Sequence, residues 1–335
     1  MVRVGIIGSG FGLYGLLPAF NSIKNCRVVC VCGKKSERLV RYCESINLKN
    51  IYLDWRKMLE NEKLDALVLA VVPNAQYQIA KVAIKKNLNI FAEKPLAANY
   101  QQAKELLNLA QKHKIVHAVD FIFPEIEEWQ EVKRLIDKEA YGKLKHISVR
   151  WNFLSHDIKN KISSWKTDVK EGGGALSFYF SHVLYYIERF AGEILGVSSL
   201  FSYSKESLNK GEVDVDALIK FKNGVIGNAH INCNDRGLHK HQLIFICEHA
   251  TIILENEKDT TQNFKIKIYK EKIDKALFVK KNNVVRKNED ERVRVVRKIA
   301  ARFIDGCSNK TQIRPSFVDG LRVQELIDLV RNNKI

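Results

Sequence analysis

Apolar residues over the first 120 or so positions recur with two alternating periods. Short β-branched runs at Val2 to Ile7, Arg27 to Cys32, Ala66 to Val71, Leu88 to Phe91 and Ile115 to Val119 have strand length. The segments between them, Leu13 to Ser22, Ser36 to Ser45, Trp55 to Asn61, Gln76 to Lys86 and Tyr100 to Lys112, carry apolar positions three and four apart and predict helices. Strict alternation of this kind requires right-handed crossovers and therefore a parallel sheet covered on both faces. Beyond Phe121 the order changes to a helix around Ile126 to Lys138, a strand near His146 to Phe153 and a helix from about Ala175 to Phe190. Val213 to Phe221, Val225 to Ile231, Gln242 to Cys247 and Thr251 to Glu255 then follow as strands without helices between them, which predicts a mostly antiparallel sheet. Asn223-Gly224 is a hairpin turn of the type that needs positive φ at both central residues. Helical patterns near Arg292 to Asp305 and Asp319 to Val330 close the chain.

A length of 335 residues favours two hydrophobic cores over one, and 46% hydrophobic with 28% charged residues is the composition of an ordinary globular protein. The longest apolar run, Ala66 to Val72, is strand-sized, so no membrane span is expected. The N-terminus leads directly into a strand without the pattern of an export signal, which predicts a cytoplasmic protein. The seven cysteines form no C-x-x-C pair, and Cys30 and Cys32 alternate on one face of a strand. They read as reduced core residues, without metal or catalytic thiol. The net charge of +17 raises the question of a nucleic-acid partner, but the densest basic stretch, Lys265 to Lys298, is interleaved with Glu271, Asp274, Glu289, Asp290 and Glu291. With no nucleic-acid motif beside it, this is a solvated surface whose field attracts anionic cofactors and substrates, and no nucleic-acid partner is expected.

Candidate chemistry begins where the first strand runs into Gly8-Ser9-Gly10-Phe11-Gly12 and a helical pattern. In that setting Gly8 permits a tight turn, Gly10 lets the backbone approach a pyrophosphate, and the helix start offers N–H groups to the anion. The third glycine is displaced by one residue, since Leu13 holds its usual place. The competing reading is an ordinary strand-turn-helix that needs glycine for geometry alone. The second strand ends in Cys32-Gly33-Lys34-Lys35-Ser36, without the carboxylate that selects the ribose hydroxyls of NAD. Gly33 leaves space for a 2′-phosphate and Lys34 or Lys35 stands to pair with it, which predicts NADP ahead of NAD. The same residues also read as a surface loop with two solvated lysines.

Val4 to Gly12, Val72-Pro73-Asn74, Ala92-Glu93-Lys94-Pro95-Leu96, Gly172-Gly173-Gly174 and His182, in that order, resemble the glucose-fructose oxidoreductase and inositol dehydrogenase family, Gfo/Idh/MocA. The fold class is accordingly an α/β N-terminal Rossmann domain, residues 1–121, followed by an α+β substrate-binding and oligomerisation domain, residues 122–335, with a mostly antiparallel open sheet. The resemblance implies hydride exchange between a nicotinamide cofactor and a hydroxyl or keto carbon of a sugar, nucleotide-sugar or cyclitol. It implies cofactor contacts from Gly8, Ser9, Gly10, Phe11, Gly12, Gly33, Lys34, Lys35, Pro73, Asn74, Glu93 and Lys94. Glu93-Lys94-Pro95 follows a strand at the carboxyl edge of the sheet, where open α/β folds bind ligands, so Lys94 is a candidate both for substrate binding and for catalysis.

Trp165, Lys166 and Asp168 precede the triple glycine, and Tyr179, His182 and Tyr186 lie three and four positions apart on one helix face. Trp165, Lys166, Asp168, Tyr179 and His182 are the expected substrate contacts, with His182 as general base and Tyr179 as an assisting acid. Tyr186 reads as packing. The family places an Asp four residues before this His, where the present chain has Phe178, and Val72 and Tyr77 replace its usual Thr and His. A redox-assisted glycoside hydrolase of the same family, and a regulatory or scaffold protein that keeps the cofactor and has lost turnover, are the competing functions. The basic surroundings point to an anionic sugar. The uncovered sheet face predicts a homodimer or homotetramer.

Overall fold

The computed structural model describes residues 1–271, 273–279 and 289–334. The chain divides into two compact units, one taking Met1–Ile122 with Asn283–Gln324 and the other Phe123–Asn282 with Glu325–Ile335.

In the first unit β1 (Val2–Ile7), β2 (Cys26–Cys32), β3 (Ile51–Tyr52), β4 (Ala66–Leu69), β5 (Asn89–Ala92) and β6 (His117–Val119) form an all-parallel sheet in the order β3-β2-β1-β4-β5-β6. The strand order reverses between β1 and β4, the place where open sheets of this kind leave a crevice at the carboxyl ends of their strands. The crossovers carry α1 (Leu17–Asn21), α2 (Glu37–Ser45), α3 (Trp55–Asn61), α4 (Pro73–Lys85) and α5 (Tyr100–Lys112). Every residue of β4 is buried, as expected of a central parallel strand covered on both faces. Local caps set the helix starts: Ser36, Asp54 and Asn99 each accept a backbone N–H of the following first turn.

The second unit contains α6 (Glu127–Asp137), β7 (Leu144–Asn152), α7 (His156–Lys159), α8 (Ser181–Ala191), β8 (Ile194–Tyr203), β9 (Glu212–Phe221), β10 (Ile226–Asn232), β11 (Lys240–Cys247), β12 (Thr251–Glu257), β13 (Lys265–Lys270) and β14 (Ile273–Leu277). Its strands form one sheet in the order β14-β13-β12-β11-β7-β10-β9-β8, antiparallel at every step except between β7 and β10. Val149, Trp151, Val215, Ile219, Ile231, Phe245 and Leu254 are buried on the inner face. The opposite face shows Leu200, Leu218, Ile226, Ile246 and Tyr269 to solvent, each opposite a polar neighbour such as Asp216, Lys220, His146 or Thr251. β8, β13 and β14 were not anticipated from periodicity. β13 carries Lys265, Lys267 and Lys270, so a strand with one buried face of Ile266 and Ile268 has the composition of a solvated surface.

The division of the chain differs from a simple cut at residue 121. Helix α9 (Val293–Asn309) belongs to the first unit, and α10 (Phe317–Asn332) begins there. Packing explains the return: Phe303 of α9 meets Phe20 of α1 and Phe91 of β5 edge-on, with ring centroids 6.3 and 5.6 Å away, and all three rings are fully buried. Gln312 and Phe317 add hydrogen bonds to His117 of the edge strand β6. All seven cysteines are free, and burial pushes the Cys30 thiol up to about 12, where it is inert. Among the described residues no helix is long and apolar enough to cross a membrane.

Removing the Phe303 ring opens a cavity between α9 and the sheet, so Phe303→Ala should cost about 3–5 kcal/mol of stability. Denaturant unfolding of the whole chain measures it, and a loss below about 1 kcal/mol would show that α9 contributes little to the first unit's core.

Candidate functional site

The glycine-rich turn is built by close approach. Gly8 has φ +131°, and a Cβ there would lie 2.2 Å from the Ala70 carbonyl oxygen, a contact only glycine allows. This brings the end of β1 against the end of β4, where Ala70 N donates to Ile7 O. A Cβ on Gly10, by contrast, meets nothing within 4 Å, so the backbone there faces open space. The chain then passes through a π-type turn, Gly12–Leu16, into α1, a local widening that recurs at functional sites. Gly33 differs from expectation, because a Cβ on it would stand 2.8 Å from that of Ser9. Its small size serves packing of the β2 end against the turn rather than room for a phosphate. Lys34 and Lys35 are exposed, and the nearby Glu37 carboxylate is engaged by Arg41 at 2.9 Å.

At the ends of β5 and β6 the loop carrying Lys94 is fixed by a side chain the sequence did not single out. Gln76 of α4 is 1% exposed, and its Nε2 donates to the carbonyls of Glu93 (2.7 Å), Pro95 (3.1 Å) and Leu96 (3.1 Å). Pro73 opens α4 and so sets where Gln76 falls, while the Asn74 side chain accepts from Gln102 at 3.3 Å. Tyr77, in the place of the family's His, is committed elsewhere, since its hydroxyl bonds Glu105 and receives Lys81 at 3.0 Å.

Beside Lys94 lies a second unanticipated group. The carboxyls of Glu93 and Asp120 influence one another's ionisation, and Asp120 is 2% exposed. Burial raises both pKa values; Lys94 pulls that of Glu93 partly back, whereas the charge of Glu93 drives Asp120 further up. Two buried carboxyls coupled in this way favour a single shared proton. Glu93 Oε1 and Asp120 Oδ1 are buried polar atoms with no partner among the described residues, as expected of a surface that completes its hydrogen bonds with a bound molecule. The glycine turn, Pro73, Asn74, Glu93 and Lys94 thus stand along the carboxyl edge of one sheet, and their donors, acceptors and open backbone fit a dinucleotide.

The second unit holds the remaining candidates. Gly174 has φ +85°, and a Cβ there would lie 2.6 Å from the Glu212 carboxylate, which accepts from Leu176 N at 3.2 Å. Glycine therefore lets Glu212 hold the start of the π-type turn Leu176–Phe180 that feeds α8. Trp165 packs edge-on to Phe178 (5.2 Å), Lys166 Nζ lies 5.6 Å over the same ring, and Phe178 contacts Tyr179 at 4.6 Å. Phe178 thus fills the family's carboxylate position with an aromatic hub. Tyr179 and His182 share Trp151 as a neighbour, at 6.1 and 6.4 Å, and His182 also meets Phe123 at 5.0 Å. Asp168 turns away to cap a short turn, its Oδ1 accepting from Lys170 N at 2.9 Å. Tyr186 is fully buried and its hydroxyl bonds His241 at 3.0 Å, a packing role.

A reversing parallel sheet with a glycine turn at its switch point defines a dinucleotide-binding oxidoreductase fold. The chain belongs to the Gfo/Idh/MocA family: residues 2–121 match its oxidoreductase, NAD-binding Rossmann-fold model and residues 129–253 its C-terminal domain model. It is 24% identical to an uncharacterized oxidoreductase of Synechocystis, over 98% of this chain and 93% of that protein. It is also 24% identical to the levoglucosan dehydrogenase of Pseudarthrobacter phenanthrenivorans, over 72% of this chain and 70% of that one. Among solved structures, a levoglucosan dehydrogenase in complex with NADH and levoglucosan superposes with a TM-score of 0.85 at 17% identity, covering 99% of this chain and 96% of that one. A 3-ketoreductase from Actinomadura kijaniata in complex with NADP and TDP-benzene gives 0.83 at 17% identity, with 99% and 98% covered.

The Glu93–Asp120 pair gives a pH signature. Both folded-state pKa values lie above the unfolded ones, so the folded chain binds more protons. The stability the pair contributes is complete below about pH 4 and is lost as pH rises toward the folded values. Asp120→Asn keeps a donor for Glu93 but does not ionise, so its stability relative to the unsubstituted chain should rise between about pH 5 and about pH 8. Urea unfolding at the two pH values checks this, and parallel behaviour would show that no proton is shared.

Proposed function

We propose that this chain transfers hydride between NADP and a hydroxyl- or keto-bearing carbon of a sugar, nucleotide-sugar or cyclitol, with NAD the weaker cofactor. The carrying observation is the Lys94 loop, pinned by three hydrogen bonds from Gln76 and flanked by the buried carboxyl pair at the sheet edge where such folds bind ligands. When bound, the nicotinamide supplies the hydride chemistry. The backbone of Gly8, Ser9, Gly10, Phe11 and Gly12 would receive the pyrophosphate, Gly33, Lys34 and Lys35 the adenosine ribose, and Pro73, Asn74 and Glu93 the nicotinamide side. Lys94 holds the charge that develops on the substrate oxygen. His182 accepts or returns the proton, and Tyr179 assists it.

Trp165 offers an apolar ring to a sugar face and Lys166 a charge to an anionic group, with Asp168 shaping the loop that carries them. A sugar substrate is supported by the relatives solved with levoglucosan and with a TDP compound. The exposed apolar residues on the outer face of the second sheet support a homodimer or homotetramer, and seven free cysteines support a reducing, cytoplasmic setting.

Lys94→Ala and His182→Ala should each lower turnover at least ~100-fold, with cofactor affinity little changed, in an assay of cofactor absorbance over a panel of sugars. Near-normal turnover in both variants would sink the assignment of roles. Titration of the unsubstituted chain should give tighter binding of NADPH than NADH. A preference for NADH of about tenfold or more would reverse the reading of Lys34 and Lys35.

A further inference from the structure

The segment that precedes α9 reaches the glycine turn. Arg292, which nothing in the spacing of the chain connects to the glycine turn, lays its guanidinium over the ring of Phe11 with Cζ 4.3 Å from the centroid, and 5.7 Å from that of Tyr14. Asp290 fixes it there. Its carboxylate accepts from Arg292 Nε and Nη2, both at 2.8 Å, and from the Arg292 backbone N at 3.0 Å. A second pair holds the same segment, since Arg297 engages Glu289 at 2.9 and 3.0 Å and donates to Ser22 at 2.7 Å.

This arrangement costs desolvation, because the Arg292 side chain is about two-thirds withdrawn from water. A mere tether for the segment already exists in Glu289 and Arg297. What Arg292 adds is a fixed positive charge against the turn whose Gly10 backbone faces open space. Asp290 takes two of the five guanidinium donors, on one edge, and stacking on Phe11 fixes the plane in which the other edge lies. A planar, pre-oriented guanidinium beside open backbone is the arrangement that recognises a phosphate group.

We propose that Arg292 is a cofactor-binding residue that contacts the pyrophosphate of the bound dinucleotide. The contact is common to NADH and NADPH, because the pyrophosphate is present in both, and is independent of Lys34 and Lys35. Asp290 and Phe11 act on it by orientation. The inference rests on the dinucleotide reading given above and adds to it a residue delivered from the far end of the chain.

The test is a fluorescence titration of the full chain with NADH and with NADPH at low and at moderate salt, for the unsubstituted protein, Arg292→Ala and Arg292→Lys, with thermal unfolding of each as a check on the fold. Arg292→Ala should weaken both cofactors by about tenfold or more and to the same extent, and should flatten the dependence of affinity on salt. Arg292→Lys should recover part of the loss, since it restores the charge without the bidentate pair. Unchanged affinity in a folded Arg292→Ala overturns the proposal. So does a loss confined to NADPH, which would place Arg292 at the 2′-phosphate. A loss that Arg292→Lys does not relieve, with the salt dependence intact, assigns Arg292 to scaffolding alone and overturns it as well. If the unsubstituted chain binds neither cofactor, the dinucleotide reading itself falls, a result distinct from failure of Arg292 alone.

Discussion

The return of the C-terminal segment to the first unit is the constraint on which the carboxyl edge of the parallel sheet depends. Phe303 wedges against Phe20 and Phe91, and that contact fixes where α9 begins and what precedes it. The same return covers β6, an edge strand whose unpaired backbone would otherwise face water. Val119 N donates to Pro315 O, Gln312 Nε2 donates to His117 O, and the His117 ring accepts from Phe317 N. Burial holds His117 neutral, with its pKa pushed down to about 4, which keeps that ring nitrogen an acceptor. A covered β6 leaves Asp120, the residue after it, out of solvent, and its burial makes sharing a proton with Glu93 favourable.

Around this edge the charges are arranged rather than merely accumulated. Burial raises the pKa values of both Glu93 and Asp120, while Lys94 and Arg292 pull both partly back. Positive charge from two distant points of the chain thus faces the same buried pair. Gln76 completes the arrangement by donating to the carbonyls of Glu93, Pro95 and Leu96, which fixes the backbone on both sides of Lys94.

What could be read from the sequence was whatever is local. The order of strands and helices in the first unit, the glycine turn and the Glu-Lys-Pro loop all follow from spacing within a few residues, and Trp55–Asn61 and Tyr100–Lys112 fall where the periodicity predicts. Gln76 was hidden because its partners lie 17 to 20 positions away and a helical glutamine has no distinctive pattern. Asp120 and Arg292 were hidden for a related reason, since their roles come from burial by a segment far along the chain. Gly33 was read as open space because the sequence does not show that Ser9 packs against it. The return of α9 was missed because an amphipathic helix declares its apolar face but not the surface that face will cover.

The substitution at residue 178 tests how far a family pattern constrains chemistry. A carboxylate in that position would orient the imidazole of His182 through a hydrogen bond, whereas this chain has an aromatic ring held by Trp165, Lys166 and Tyr179. Aromatic packing constrains the plane of the imidazole. Phe123 meets the His182 ring at an interplanar angle of 87° and Trp151 at 61°, and Trp151 is in turn stacked on His241 at 4.6 Å with the planes 7° apart. Tyr186 locks His241 from the other side through its hydroxyl. Aromatic edges of this kind fix the plane of an imidazole at about 0.5–1.5 kcal/mol per pair but add no negative charge. A carboxylate would instead stabilise the protonated ring. Around His182 the second unit therefore presents aromatic edges where the family has a carboxylate, so the proton transfer proposed for His182 has to be directed by groups other than residue 178.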